Sequence, residues 1–297
     1  MDKIEFYTNR SLGERFSASA EFIRQNWKVM YKIILMVAIP LALLQGYYQQ
    51  HFMSAYLGSI SRIVSGGDAS AINELYTNSG MWIFLLISLL SALVLSAMSG
   101  AILSRYEEGL LNKTTTLSDL GDKIVSNMGK LFMIGLAMIL IGIVAIIALV
   151  LIIVAMAKIS GFLTVLIAVV AVFSIVPGLC LLRFPALFQG ASTMESIKKG
   201  VRLGFKSWGT TMLMIIIIGV ASYVIKLIFG LPFTIWNLFN IGNEPGIVSY
   251  TLSGISWLGE AFITPLTFVF FAFQYFAVVD KVEGISLQSK VEEFDNL

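Results

Sequence analysis

Six apolar runs, separated by polar segments, constrain the fold of this 297-residue chain more than any other feature. A bilayer hydrocarbon core of about 30 Å is crossed by roughly 20 apolar residues in an α-helix. The runs cover residues 27–47, 81–103, 131–157, 162–187, 210–229 and 255–279. We therefore expect an all-α integral membrane protein, a six-helix bundle built as a single transmembrane domain over residues 1–297.

Composition supports the same class. Hydrophobic residues make up 57% of the chain and charged residues only 13%, against about 25% charged in soluble domains. The formal net charge of +2 is too small to indicate nucleic-acid binding. The first 26 residues are polar, so we do not expect a cleavable signal peptide.

Three of the apolar runs follow a similar capped, amphipathic segment. Each segment opens with the capping-box spacing, a Ser or Thr followed three residues later by an acid. The pairs are Ser11/Glu14, Thr116/Asp119 and Ser192/Glu195. Apolar residues then recur at helical spacing, which predicts interfacial helices at 12–26, 117–129 and 193–207. The pattern predicts three repeated hairpins, each preceded by one such helix.

Charge asymmetry predicts the orientation of the bundle. Of the 20 Lys and Arg residues, 17 fall before or at the start of span one, between spans two and three, from the inner end of span four to the start of span five, and after span six. Arg62, Lys158 and Lys226 fall on the other side. Cytoplasmic loops are enriched in Lys and Arg, so we expect both termini in the cytoplasm and the protein in the cytoplasmic (inner) membrane.

Lys226 and Glu260 are the first candidate site residues. Lys226 lies about one turn from the outer end of span five, and Glu260 lies about one turn into span six from the same side. Charges inside a membrane are costly and often functional. The pair is predicted to form an ion pair, which acts either as a structural clasp or as part of a substrate or ion site.

Four cations of the third amphipathic segment form the second candidate site. They are Lys198, Lys199, Arg202 and Lys206. A basic helix in the membrane interface attracts anionic lipid headgroups, so these side chains are candidate headgroup contacts. The alternative is that the helix only caps and anchors the bundle, since cations at span ends commonly extend to the interface.

The sequence offers little for catalysis or metal binding. Cys180 is the only cysteine and His51 the only histidine. Nucleotide-binding, zinc-protease and serine-hydrolase motifs are absent from the sequence. We therefore expect no enzyme activity, no cofactor and no metal; the expected partners are membrane lipids and a partner protein or a second copy of the chain.

The remaining segments carry weaker predictions. Residues 48–80 are expected to form an outer loop, and residues 231–253 either re-enter the membrane or lie on its outer surface. Small residues recur every four positions in span two, which favours close helix packing. They are Ala92, Ser96, Gly100 and Ser104. Their partner is either an internal helix or another subunit.

Two stretches resemble a known family. Residues 183–208 end one span and continue as ASTMESIKKGVRLGFKSW before the next. The C-terminal stretch FQYFAVVDKVEGISLQSKVEEF has an ordered set of residues that the family shares, although Val282 and Ser286 depart from its pattern. That set is Tyr275, Phe276, Asp280, Glu283, Gly284 and Leu287. The opening FYTNRSLGERF adds to the likeness.

These stretches resemble the membrane domain attached to some glycerophosphodiester phosphodiesterases, and related stand-alone bacterial membrane proteins of unknown function. The resemblance implies a six-span membrane protein without phosphodiesterase chemistry, which belongs to a separate soluble domain of those enzymes. The leading hypothesis is a non-enzymatic membrane module that assists a partner protein or lipid. The alternative is a small transporter or channel with a polar site near Lys226 and Glu260.

Overall fold

The computed structural model describes residues 3–66, 79–157, 173–240 and 245–288, with isolated positions between them. Within these ranges the regular structure is entirely helical, which confirms the all-α class. The helices are α1 (Leu12–Gly66), α2 (Ser79–Glu107), α3 (Gly121–Ala157), α4 (Phe184–Phe188), α5 (Thr193–Lys206), α6 (Trp208–Phe239) and α7 (Ile247–Glu283).

Five described helices are long and apolar enough to cross a membrane: α1, α2, α3, α6 and α7. They contain five of the six predicted spans. The fourth, 162–187, lies largely outside the described residues; its described part belongs to a shorter apolar helix at Phe173–Phe188. The six-helix count and the threefold repeat therefore stay predictions.

Two of the three predicted interfacial helices are not separate elements, which corrects the sequence-based boundaries. α1 runs without a break through residues 12–26 into the first span, and α3 does the same through residue 129. Neither junction holds a proline, and a change from amphipathic to apolar composition does not interrupt backbone hydrogen bonding. Only the third copy forms its own helix, α5, which ends at Ser207.

The predicted capping pairs form in all three copies. The backbone N–H of Ser11 donates to Glu14 Oε2 at 2.7 Å, and that of Ser192 donates to Glu195 Oε2 at 3.0 Å. In both boxes the serine hydroxyl accepts the reciprocal bond. Thr116 N–H donates to Asp119 Oδ2, but a 3₁₀ turn at Ser118–Leu120 follows and its cap makes no side-chain hydrogen bond.

The outer segments are more helical than predicted. α1 continues to Gly66, so residues 48–66 are helix rather than loop. α6 continues to Phe239 and α7 begins at Ile247, so the described residues of 231–253 extend these two helices. The helices pair beyond the predicted spans, where Trp236 Nε1 donates to Ser249 Oγ at 3.0 Å.

α7 is the central helix of the described bundle, because α1, α2, α5 and α6 all pack against it. Its residues 271–280 are all buried. The closest approach joins α1 and α7 at two glycines: a Cβ added to Gly46 would lie 2.6 Å from Gly254 Cα. Any larger residue at Gly46 would force the two backbones apart.

The small-residue ridge of α2 packs inside the molecule. Ser96, Gly100 and Ser104 are buried, and a Cβ on Gly100 would lie 3.2 Å from Asn127 Nδ2 and 3.4 Å from the Phe268 ring. Ala92 is exposed. Three of the four ridge positions therefore face internal neighbours.

One end of the bundle collects the N-terminal segment, the ends of α2 and α7, and α5; we call it the charged end. Phe6 is 4% exposed and stacks on Tyr106 and Phe276, with ring centroids 5.8 and 4.6 Å away. The Ile4 N–H donates to Tyr106 Oη at 3.0 Å. Lys3 Nζ donates to the Glu107 carbonyl. These contacts hold residues 3–10 across the helix ends.

The opposite end, which we call the Lys226 end, carries the charges Lys226 and Glu260. On α7, Glu260 and Lys281 are separated by a length of helix of about 32 Å at 1.5 Å per residue. That spacing equals the thickness of a bilayer hydrocarbon core, about 30 Å. Between these two charges, residues 261–279 of α7 carry no charged side chain.

Candidate functional site

Lys226 and Glu260 form the predicted ion pair. Lys226 Nζ lies 2.6 Å from Glu260 Oε1, joining α6 to α7. The lysine side chain is 59% exposed and the glutamate 25% exposed, so the pair lies at the surface of the bundle. The pairing is confirmed; whether it acts as a clasp or in a functional site stays a prediction.

A cavity of about 410 Å³ lies beside this pair, between α1, α6 and α7. Its polar lining residues bind one another. Gln49 Oε1 accepts hydrogen bonds from Trp257 Nε1 at 2.6 Å and from Ser253 Oγ at 2.8 Å. The cavity therefore has one charged pair and one satisfied amide.

The structure divides the four predicted headgroup contacts of α5. Lys199 Nζ and Arg202 Nη2 both pair with Glu283 at the end of α7, at 2.6 and 3.1 Å. These two cations share one carboxylate and join α5 to α7. Lys198 is exposed and forms no ion pair within the described ranges. Lys206 lies elsewhere, in a cleft.

Lys206 lines a cavity of about 540 Å³ at the charged end, which we call the cationic cleft. Two further cations line it, Arg15 of α1 and Lys281 of α7. The rest of its lining comes from Ser207, Trp208, Gly209, Thr210, Val278 and Val282. No carboxylate is among these lining residues, and neither lysine forms an ion pair with any residue that the structure describes.

A chain of hydrogen bonds fixes Arg15 in this cleft. Arg15 is 5% exposed; its Nη1 donates to Gln274 Oε1 at 2.7 Å, and its Nε donates to the Arg10 carbonyl at 2.9 Å. Gln274 in turn donates from Nε2 to Thr211 Oγ1 at 2.9 Å. The guanidinium is held by neutral acceptors, so its positive charge remains uncompensated at the cleft wall.

The break between α5 and α6 supplies the remaining wall. α5 packs closely on the preceding segment, because a Cβ on Gly200 would lie 2.5 Å from Leu182 Cα. Ser196 Oγ donates to the Leu182 carbonyl at 2.6 Å. With α5 held there, the chain turns at Ser207, and the first turn of α6 faces the cleft. A helix N-terminus carries partial positive charge and adds to the three cations.

The cationic cleft is suited to binding an anion. Three cations and a helix N-terminus provide charge and hydrogen-bond donors of the kind that recognise phosphate. The Ser207 and Thr210 hydroxyls donate to backbone carbonyls instead. The lining residues include no imidazole, thiol or carboxylate, so they provide no general base. Across the described residues, no group of His, Cys, Asp and Glu side chains is placed to hold a metal ion.

The sequence analysis identified Lys206 but missed Arg15, Gln274 and Lys281 as parts of one site. Arg15 and Gln274 are 259 residues apart in the sequence, so no local sequence pattern links them. One signal was available: Gln274 is the single amide within the apolar run FVFFAFQYFAVV of α7. A lone buried amide in such a run requires a polar partner.

Comparisons with known proteins supply no relative for this site or fold: no protein-family model, no curated protein and no solved structure matches the chain. The resemblance to phosphodiesterase-associated membrane domains therefore stays a prediction from the sequence.

Proposed function

We propose that this chain is a non-enzymatic, membrane-embedded module that binds the phosphate of an anionic phospholipid in the cationic cleft. The observation that carries the proposal is the set Arg15, Lys206 and Lys281, which lines one cavity of about 540 Å³ without a carboxylate. Uncompensated cations at a fixed site gain most from an anionic ligand.

A lipid fits the position of the cleft better than a soluble anion does. The cleft lies where α6 begins and α7 ends, at one end of the uncharged stretch 261–279 of α7. Beside it, α5 and the start of α6 expose Met194, Phe205 and Trp208, at 55%, 49% and 41%. Exposed apolar side chains next to cations are typical of helices at the membrane interface.

The orientation follows from the same charges. Both ends of the described chain lie at the charged end, where Lys3 contacts Glu107 and Lys199 contacts Glu283. Because the sequence predicts 17 of the 20 cations for the cytoplasmic side, the charged end is assigned to the cytoplasm of the cell and the anionic inner leaflet. In this orientation the protein lies in the cytoplasmic membrane with both termini inside.

Tryptophan fluorescence tests the proposal because Trp208 lines the cleft. The purified protein, in a non-ionic detergent, is titrated with short-chain phosphatidylglycerol and, separately, short-chain phosphatidylcholine. We expect a saturable change with the anionic lipid that weakens at high salt. Replacing both lysines (Lys206→Gln with Lys281→Gln) should weaken the apparent affinity about tenfold or more.

The matched control removes two exposed lysines that lie outside the cleft, Lys113→Gln with Lys198→Gln, and so changes net charge equally. A Trp208→Phe variant verifies that the signal comes from the cleft. If the cleft and control variants weaken lipid binding equally, the effect comes from net charge alone, and this result would contradict a specific site.

A small transporter or channel remains the second candidate. The cavity of about 410 Å³ beside Lys226 and Glu260 favours it. Against it, that cavity and the cationic cleft are about 21 Å apart along α7, counted from Glu260 to Gln274. Ala261 and Phe268, which are 2% and 1% exposed, lie between them. A protein partner or a second copy of the chain is also consistent with the module.

A further inference from the structure

Arg183 is a further cation without a counter-charge, and it lies farther from the charged end than the cationic cleft does. It is the last residue before α4, and the structure gives it no ion pair and no hydrogen bond to any described residue. Its Nε is shielded from solvent and unpartnered. A charge in such surroundings carries a desolvation penalty that only a partner can offset.

Aromatic rings hold the Arg183 guanidinium in place. Its Cζ lies 4.9 Å from the centroid of the Phe268 ring and 5.2 Å from that of Phe184. These cation–π contacts stabilise the charge only in part, because they provide no hydrogen-bond acceptor. Arg183 lines two cavities, and an anion would reach the guanidinium through them.

An apolar groove runs from Arg183 between α2 and α3. This α2–α3 groove has a volume of about 430 Å³. Its walls are leucines of α2 with Phe132 and Ile139 of α3, and Arg183 is its only charged residue. A second cavity of about 410 Å³, lined by Gly135 and Met138, meets Arg183 on another side of α3.

The groove has a direction. Phe268, over which Arg183 lies, is the ring that Gly100 of α2 approaches, so the cation stands at the groove end nearer the charged end. From there the lining extends along α2 to Leu86 and along α3 to Ile139. At 1.5 Å per residue these lengths are about 12–15 Å, which is about half of the hydrocarbon core and therefore the depth of one leaflet.

We propose that the α2–α3 groove is a binding site for one anionic phospholipid, with its phosphate on Arg183 and an acyl chain between α2 and α3. The groove supplies apolar surface about as long as one leaflet is deep, and Arg183 supplies its only charge, at the groove end nearer the charged end. The inference relies on the proposed function only for the class of ligand; the site itself is separate from the cationic cleft.

Photo-crosslinking tests this site. The protein is reconstituted in phosphatidylcholine nanodiscs that contain a small fraction of phosphatidylglycerol with a diazirine in its acyl chain. Crosslinked peptides are then mapped by mass spectrometry. We expect labelling of Leu93 and Leu136 in the groove. Diazirine phosphatidylcholine and a diazirine fatty acid, used at the same fraction, should label these residues at least tenfold less.

Two kinds of variant separate charge from groove. Arg183→Gln should reduce the labelling about tenfold, and Arg183→Lys should retain most of it. Gly135→Leu keeps the charge but fills the groove, and a Cβ there meets nothing within 4 Å, so the backbone accepts it. It should abolish labelling while the protein still elutes as one species, which keeps the test valid if the Arg183 variants do not fold.

The cleft variant Lys206→Gln with Lys281→Gln keeps the two proposals distinct, because it should leave groove labelling unchanged. If that variant binds lipid normally while Arg183→Gln loses labelling, the cleft proposal fails and the groove stands. Equal labelling by phosphatidylcholine, preferential labelling by the fatty acid, or undiminished labelling in Arg183→Gln would each overturn the groove proposal.

Discussion

Replacing Gly46 by alanine tests the packing that centres the fold on α7. The added Cβ would stand 2.6 Å from Gly254 Cα, whereas carbon atoms in contact are separated by about 3.5–4.0 Å. Helices α1 and α7 must therefore move apart by about 1 Å at this crossing. Overpacking of this kind costs about 1–3 kcal/mol.

Helix propensity acts in the other direction and can be measured separately. A Gly→Ala change within a helix contributes up to about 1 kcal/mol. Gly58 lies on the same helix, and a Cβ there meets nothing within 4 Å, so Gly58→Ala is the matched control. Gly254→Ala should fall between the two, because its Cβ meets the flexible end of Leu43 at 2.9 Å.

The assay is equilibrium unfolding in mixed micelles with increasing sodium dodecyl sulfate, followed by circular dichroism. We expect Gly46→Ala to be less stable than Gly58→Ala by about 1–3 kcal/mol, the overpacking cost alone. Equal stability of these two variants would show that the close α1–α7 contact is not a feature of the folded protein.

Three further predictions follow from individual contacts. A double-mutant cycle of Lys226→Met and Glu260→Gln should give a coupling energy of at most about 1 kcal/mol, because the pair is partly exposed. The double variant should be no less stable than either single variant. Loss of function in a folded double variant would instead favour the transporter. Gln274→Leu should lower the free energy of unfolding by about 1–3 kcal/mol and weaken anionic-lipid binding, because it leaves Arg15 Nη1 without its buried acceptor. Unchanged lipid binding would show that Gln274 does not position Arg15 for the ligand. The backbone N–H and the side chain of Ser192 hold the pKa of Glu195 below its usual range, so this cap stabilises α5 above a pH of about 4 and is lost as the pH falls through the lowered pKa. Amide exchange in the first turn of α5 should accelerate at low pH, and Glu195→Ala, which removes the carboxylate, should show the fast rate at all pH values.

Local chemistry made much of the fold predictable. Apolar runs of membrane length predicted five of the described helices, and the capping spacing located Ser11 and Ser192 correctly. Matching depths in two spans were enough to pair Lys226 with Glu260. Each of these signals lies within one segment or follows from a simple alternation of spans across a bilayer.

Boundaries and the principal site were less predictable. No proline stands near residues 26 or 129, and the helix continues through Gly129, so the tertiary packing decides whether an amphipathic segment separates from the span after it. In the third copy, the contact of Gly200 with Leu182 fixes α5 and leaves the turn at Ser207. The first and second copies continue as single helices.

The cationic cleft depends on contacts between distant parts of the chain. Arg15, Lys206 and Lys281 come from three different helices, and only the folded bundle shows that Lys199 and Arg202 are already paired with Glu283. From the sequence alone, the four cations of α5 were equivalent candidates for headgroup contacts. The structure distinguishes the paired cations from the one that lines the cleft.

Native mass spectrometry of the protein, gently extracted from its own membrane, tests the central claim most directly. Lipids and proteins that co-purify are counted for the wild type, the cleft variant Lys206→Gln with Lys281→Gln, and the control Lys113→Gln with Lys198→Gln. The account predicts retained anionic phospholipid on the wild type and control, with about one equivalent lost from the cleft variant. Equal lipid retention by all three proteins, or retention of zwitterionic lipid alone, would contradict it.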